Sequence, residues 1–509
     1  MRTERRGRTC GGATAEDFFR SAVVAAVQRA LASRRPTEDA TLTDTELCYV
    51  SATELRDLIR SRQLSPLELV DAVIARAEAL EPRLNALCTP TFDSARDAAK
   101  AATERIARGE PLRPLEGLPV TIKDLVMTKG VRTMAGSHRF ADRVPDFDGP
   151  VVERLREAGA ISIGKTTVPE FGWKGCGDSP LTGITHNPWK HGYNAGGSSA
   201  GAGACAAAGI GPLHQGSDGG GSIRMPASFC GIYGFKPSYG RVPYAPMPNN
   251  DKQSHIGPMT RTVADAALLM SVWSGPDDRD QASLEGCPAA YLDQLDVNVR
   301  GLKVAWSPDL GHFRVDPEVA EPVRAAVAAF EELGCIVEEI VPDWDDPSAT
   351  ERRYWSAHMA GNHAGLLDAW GTRMDPGLVA CIEDGLKVSI LEYMAAKQAR
   401  LDFYAATERL FRDYDLLVTP SLSVATFPAE RLMPEHWPQH PWDWLQWAGF
   451  CYPFNWTWQP AATCPCGFTA DGRPVGLQIV GPRLQDLRVL QASRAFERAR
   501  PWAQHRPPL

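Results

Sequence analysis

The chain has 509 residues, of which 44% are hydrophobic and 23% charged, and a formal net charge of −8. That composition supplies ample apolar surface for a buried core and lacks the basic bias of a nucleic-acid binder, so no nucleic-acid partner is expected. No apolar run reaches the roughly 18 residues of a membrane span, and the twelve cysteines show no disulfide-framework spacing, which fits the reducing cytoplasm. Cys464-Pro-Cys466 has no second cysteine pair or neighbouring histidine, and none of the 11 histidines forms a His-Glu-x-x-His motif, so neither metal nor cofactor is called for.

In chain order, residues 1–47 read as an N-terminal extension: Met1–Arg8 is arginine-rich, and Phe18–Leu31 has an amphipathic helical pattern without the apolar core of a signal peptide. From Val50 the pattern becomes regular. Leu55, Leu58 and Ile59 recur at helical spacing, and Ser65-Pro66-Leu67-Glu68 supplies an N-cap, a first-turn proline and a capping-box glutamate. Leu118–Ile122 predicts a buried strand that ends at Lys123-Asp124. A helix at 151–158 and a strand at 160–164 follow, an alternation that implies parallel pairing through crossover helices. Ala200–Gly209 predicts a tightly packed internal helix starting just after Ser198 and Ser199, a favourable place for developing negative charge. Thr262–Asp265 opens another helix, and 302–306, 416–419 and 475–480 read as further buried strands. The stretch 317–412, dominated by helical periodicity, is expected to be a helical insertion in a catalytic domain spanning 48–500, with 501–509 as a tail.

The stretch 196–226 is dense in glycine and serine and carries two candidate hydroxyls, Ser198 and Ser222. Gly219, Gly220 and Gly221 can adopt backbone angles closed to other residues and bring N–H groups up to a reacting carbonyl, as an oxyanion hole requires. A phosphate cradle is the alternative, but the P-loop spacing and its lysine are missing. A flexible linker is disfavoured because Ile223, Met225, Phe229, Ile232 and Phe235 continue the segment as core. A serine hydroxyl is a poor nucleophile until deprotonated, and no histidine lies beside either serine in the segment. A lysine made neutral by burial is therefore the expected base, and Lys123 is the candidate.

With these residues in place, the chain resembles the amidase signature family of serine hydrolases. The resemblance rests on Gly117-Leu118-Pro119-Val120 through Lys123-Asp124, GGSSAGAGA (196–204), GSDGGGSIRMPASFCGIYGFKP (216–237), IGPMTRTVADA (256–266), PAATCPCGF (460–468) and GRPVGLQIVGP (472–482). It implies an α/β fold, a mixed twisted sheet of about eleven strands sandwiched by helices. It further implies Ser222 as nucleophile, Ser198 as a bridging serine after a cis peptide bond, Lys123 as general base, and the N–H groups of Gly219, Gly220, Gly221 and Ser222 as the oxyanion hole. A homodimer is common in the family.

Among supporting residues, Asp218 and Arg224 read as an ion pair fixing the loop rather than a solvated pair. Ser199 is expected to orient Lys123 or the loop, and Asp124 to serve as a structural acceptor. Six of the fourteen tryptophans fall between Trp437 and Trp458, and Asn455-Trp456-Thr457-Trp458-Gln459-Pro460-Ala461 stands where the family pattern is Asn-x-Thr-Gly-x-Pro-Ala. Asn455, Trp456 and Trp458 are therefore candidates for the substrate pocket, against the plainer reading that these rings pack a loop onto the core. The expected partner is a small-molecule amide, anilide or carbamate. TTVPEFGWKGCGDSPLTGITHNPW (166–189) resembles the aryl acylamidase and cyclic-oligoamide hydrolase branch. The runner-up is the glutaminase component of a tRNA-dependent amidotransferase, although PMPNNDKQSHIGP (246–258) replaces the Ser-Ser-Leu-Asp-Gln usual there. A non-catalytic scaffold would not need Lys123, Ser198 and Ser222 together.

Overall fold

Thirteen strands appear in the computed structural model, which describes residues 43–286 and 290–509. They are β1 (Leu87–Pro90), β2 (Pro119–Lys123), β3 (Ile161–Thr166), β4 (Asp178–Ser179), β5 (Gly183–Ile184), β6 (Leu213–Asp218), β7 (Tyr233–Lys236), β8 (His255–Thr260), β9 (Lys303–Trp306), β10 (Ile336–Glu339), β11 (Leu416–Pro420), β12 (Ala461–Phe468) and β13 (Pro474–Val480). β4 and β5 form a small ladder. The other eleven make one sheet in the order β1-β3-β2-β6-β8-β7-β12-β13-β11-β9-β10. The sheet is mixed: β3, β2 and β6 run parallel, as do β11, β9 and β10, whereas β8, β7, β12 and β13 pair antiparallel. The parallel pairing expected from the strand-helix alternation thus covers two parts of the sheet.

The helices form where the local chemistry calls for them. Ser65 caps Pro66–Leu84 in a capping box with Glu68, and Thr262 caps Val263–Trp273. The all-buried helix Ala200–Ala208 consists of alanine, glycine and cysteine because strands lie directly against it. A Cβ on Gly201 would overlap Ala86 O and sit 2.6 Å from Thr167 N.

One expectation needs correction. The stretch 317–412 is not wholly helical: Pro317–Glu332 is followed by β10, which pairs parallel with β9 at the sheet edge. β10 is largely exposed, so its sequence lacked a buried strand's apolar run. From Ser348 to Asp413 all the elements are helices. In the tail at 501–509, Trp502 is buried, donates to Arg261 O and stacks on Tyr233. The chain divides into a unit ending at Glu46 and a unit spanning Leu47–Leu509. Most of the 1–47 extension, with its helical pattern at 18–31, lies outside the described residues. No helix among the described residues is long and apolar enough to cross a membrane.

Gly201→Ala is expected to destabilise the protein by at least about 1–3 kcal/mol, because backbone rather than a side chain must yield. A urea midpoint equal to wild type would contradict this packing.

Candidate active site

Lys123 ends β2, Ser217 and Asp218 end the adjacent β6, Ser198 and Ser199 precede the helix Ala200–Ala208, and Ser222 lies on the turn between β6 and the helix Arg224–Cys230. The Gly197–Ser198 peptide is cis. β6 holds the lysine in place: Gln215 Oε1 accepts the Lys123 N–H at 3.0 Å, while Thr121 Oγ1 and His214 Nδ1 lie 2.9 Å apart across the same strand pair.

Lys123 is fully buried, with Nζ 2.8 Å from Ser198 Oγ, 2.8 Å from Ser199 Oγ and 3.0 Å from Ser217 O. Burial pulls its pKa down to about 7, opposed by the negative charge of Asp218. The neutral amine carries two N–H groups and one lone pair, so one of its three oxygen neighbours must donate to it. Ser217 O cannot, and the Ser199 hydroxyl has Ser217 O as an acceptor at 3.2 Å. Ser198 is left as the hydroxyl whose proton turns toward Nζ. Among the described residues no hydrogen bond joins the Ser198 and Ser222 side chains. Ser222 is anchored by its carbonyl, which accepts the Ser199 N–H at 3.2 Å.

The glycine turn is held from below by Asp218 and Arg224, both with 0% side-chain exposure. Arg224 Nε lies 2.9 Å from Asp218 Oδ2 and Nη2 lies 3.0 Å from Oδ1. Burial alone would raise the Asp218 carboxyl, but Arg224, Lys236 and Asn455 hold it well below the usual carboxylate range. Arg224 also donates to Cys451 O and Gln478 Oε1, each at 2.8 Å, and to Asn455 Oδ1 at 2.6 Å. The expected ion pair is therefore present, and it is buried.

Asp218 also takes one of the expected oxyanion donors. Gly221 N–H donates to Asp218 Oδ1 at 2.6 Å and Ile223 N–H to Oδ2 at 3.2 Å, so Gly221 does not face the reacting carbonyl. Its glycine identity has another cause: φ is +121° and a Cβ would sit 2.6 Å from Cys451 Cβ. The N–H groups of Gly219, Gly220 and Ser222 have no protein acceptor among the described residues.

The tryptophan-rich segment mostly packs. Asn455 is not a pocket residue: it is fully buried and its Nδ2 donates to Asp218 O and Oδ1, both at 2.9 Å, because the charged pair needs neutral donors around it. Trp456 is buried and donates to Glu351 Oε2 at 2.6 Å. Trp458, half-buried, donates to Lys252 O at 2.9 Å and stacks on Tyr239. Trp444 and Trp355 both donate to Trp173 O, at 3.1 and 2.9 Å. This pins the loop carrying Gly172, where a Cβ would come within 3.1 Å of Ser198 Oγ. Trp173, Trp355, Gln215 and Gln478 are not singled out by the sequence; for the two glutamines the available signal is a polar residue inside a strand flanked by core. Asp124 is a structural acceptor, as expected: Met134 N–H donates to its Oδ2 at 3.0 Å, and burial raises its pKa to about 6.

Residues 68–490 match the Amidase family. The chain belongs to that family. This amidase is 41% identical to an acylamidase of Rhodococcus erythropolis over 481 residues, 92% of this chain and 98% of the relative. It is 35% identical to one component of the glutamyl-tRNA(Gln) amidotransferase of Moorella thermoacetica, over 91% of this chain and 99% of that one. Among solved structures, a bacterial aryl acylamidase superposes with a TM-score of 0.83 at 32% identity, over 90% of this chain and 97% of its own. A 6-aminohexanoate cyclic dimer hydrolase gives 0.82 at 29%, over 91% and 99%.

Arg224→Met is expected to leave Asp218 buried without its main counter-charge and to cost about 3–5 kcal/mol. A melting temperature within error of wild type would show that the pair does not hold the turn.

Proposed function

We propose that this amidase cleaves aryl and alkyl amides and anilides, and carbamates and esters by the same carbonyl attack, through an acyl-enzyme on Ser222. One observation carries the mechanism: a fully buried lysine whose pKa burial pulls down to about 7 and whose Nζ lies 2.8 Å from Ser198 Oγ. Lys123 takes the proton of Ser198 as Ser198 takes that of Ser222, and the Ser222 oxygen attacks the carbonyl carbon. The N–H groups of Gly219, Gly220 and Ser222 receive the oxyanion. The proton returns through Ser198 to the leaving nitrogen, the C–N bond breaks, and water repeats the sequence to release the acid. Ser199 orients Lys123 throughout.

The glutaminase alternative would pass ammonia to a partner protein. Against it, the stretch 246–258 that departs from that branch lies beside the oxyanion loop, a Cβ on Gly219 falling 3.0 Å from Ser254 Oγ. The acylamidase relative, which is the more identical of the two curated relatives described, supports the hydrolytic reading. A cytoplasmic homodimer is the form proposed for the enzyme. The helix Ile390–Asp413 exposes Ile390, Leu391, Met394 and Leu401, a patch that a second copy would cover. Light scattering on wild type and Leu391→Glu tests this, with a dimer converted to monomer expected.

A chromogenic nitroanilide is expected to be cleaved by wild type and on the order of 10^4-fold more slowly by Ser222→Ala. Equal release by both removes Ser222 as nucleophile. kcat/KM is expected to rise with pH through about 7, since below that value Lys123 is charged and accepts no proton. A rate flat from about pH 5 to 8 would remove the lysine base.

A further inference from the structure

One buried acid stands beside the oxyanion loop without a part in the chemistry above. Glu351, on the helix Ser348–His363, has 0% exposure. Its Oε2 accepts the Trp456 Nε1–H at 2.6 Å, and its Oε1 has no hydrogen-bond partner among the described residues. A Cβ on Gly220 would lie 3.9 Å from that unpartnered oxygen and 3.3 Å from Trp355 Cζ3. A carboxyl group thus backs the central glycine of the turn whose N–H groups receive the oxyanion.

The groups facing Glu351 do little to favour its charged form. Arg400, from the helix Ile390–Asp413, is the cation in range, but its Nη1 lies 2.9 Å from Asp251 Oδ2 and its Nε donates to Trp456 O at 3.1 Å. The Tyr452 phenol is pushed well above its ordinary range, chiefly by burial, and stays neutral. A carboxylate with one hydrogen bond and a distracted counter-ion is costly in such a site, whereas the acid is tolerated. Burial accordingly raises the Glu351 pKa to about 8, against the Trp456 N–H and Arg400, which lower it.

Building on the amide-hydrolase reading, we propose that Glu351 is a positioning residue of the oxyanion loop. As the neutral acid it supports Gly220 without opposing the anion that forms on the other side, and on losing its proton to solvent it shuts the reaction down. A negative charge placed behind the donors weakens them where the transition state needs them most. Lys123 then sets the acid limit of activity and Glu351 the alkaline one.

The test is the pH profile of kcat/KM for nitroanilide cleavage by wild type, Glu351→Gln and Trp456→Phe. Wild type is expected to give a bell, and Glu351→Gln to keep the rise near neutrality but lose the alkaline fall. Trp456→Phe, lacking the N–H that favours the carboxylate, should move that fall to higher pH. An alkaline fall that persists in Glu351→Gln, or stays in place in Trp456→Phe, overturns the proposal. Infrared difference spectra of wild type minus Glu351→Gln at neutral pH give a readout free of turnover. A protonated-carboxyl band is expected, and its absence overturns the assignment. Failure to cleave any amide with that band present would instead count against the amidase reading alone.

Discussion

The buried pair of Asp218 and Arg224 is the constraint on which the site depends. It joins the end of β6, the helix Arg224–Cys230, β13 through Gln478 and the tryptophan-rich segment through Cys451 O and Asn455. Neither charge reaches water, so each must be met by fixed partners, and those partners come from segments more than 200 residues apart. Meeting them folds the glycine turn in one way. The Gly221 and Ile223 N–H groups point at the carboxylate, while those of Gly219, Gly220 and Ser222 have no protein acceptor among the described residues.

The same pair acts on Lys123. Asp218 is the charge that holds the Lys123 pKa up, and burial is what brings it down. Because Arg224 sits on Asp218 in two places, much of that negative potential is spent before it reaches the lysine. An uncompensated Asp218 would keep Lys123 protonated and unable to accept a proton. Support of the turn and the charge state of Lys123 therefore rest on one arrangement of charges.

The tryptophans act at one remove. They build a second apolar cluster with Met225, Phe229 and Trp355, and their indole N–H groups tie loops together rather than meeting Ser198 or Ser222. Trp444 and Trp355 converge on one carbonyl to fix the loop over Ser198, and Trp456 anchors the acid behind Gly220. Their density in the sequence marked a place that matters to the site. It carried no information about whether rings or N–H groups do the work.

The sequence by itself determined the elements with strong local signals. Capping residues placed the helices at Pro66 and Val263, apolar runs placed β2, β3, β9, β11 and β13, and the resemblance to the amidase signature family singled out Lys123, Ser198 and Ser222 as one group. What it could not show depends on distant neighbours. β6 reads Leu-His-Gln-Gly-Ser-Asp, polar enough to pass for a loop, yet all six residues are buried because partners from other strands satisfy them. β10 is too exposed to show a pattern, and Asn455 and Gly221 changed roles once Asp218 was seen between them. Local propensity is written along the chain. Which polar group meets which across the fold is decided only by packing, because a buried hydrogen bond is worth making wherever its partner arrives in space.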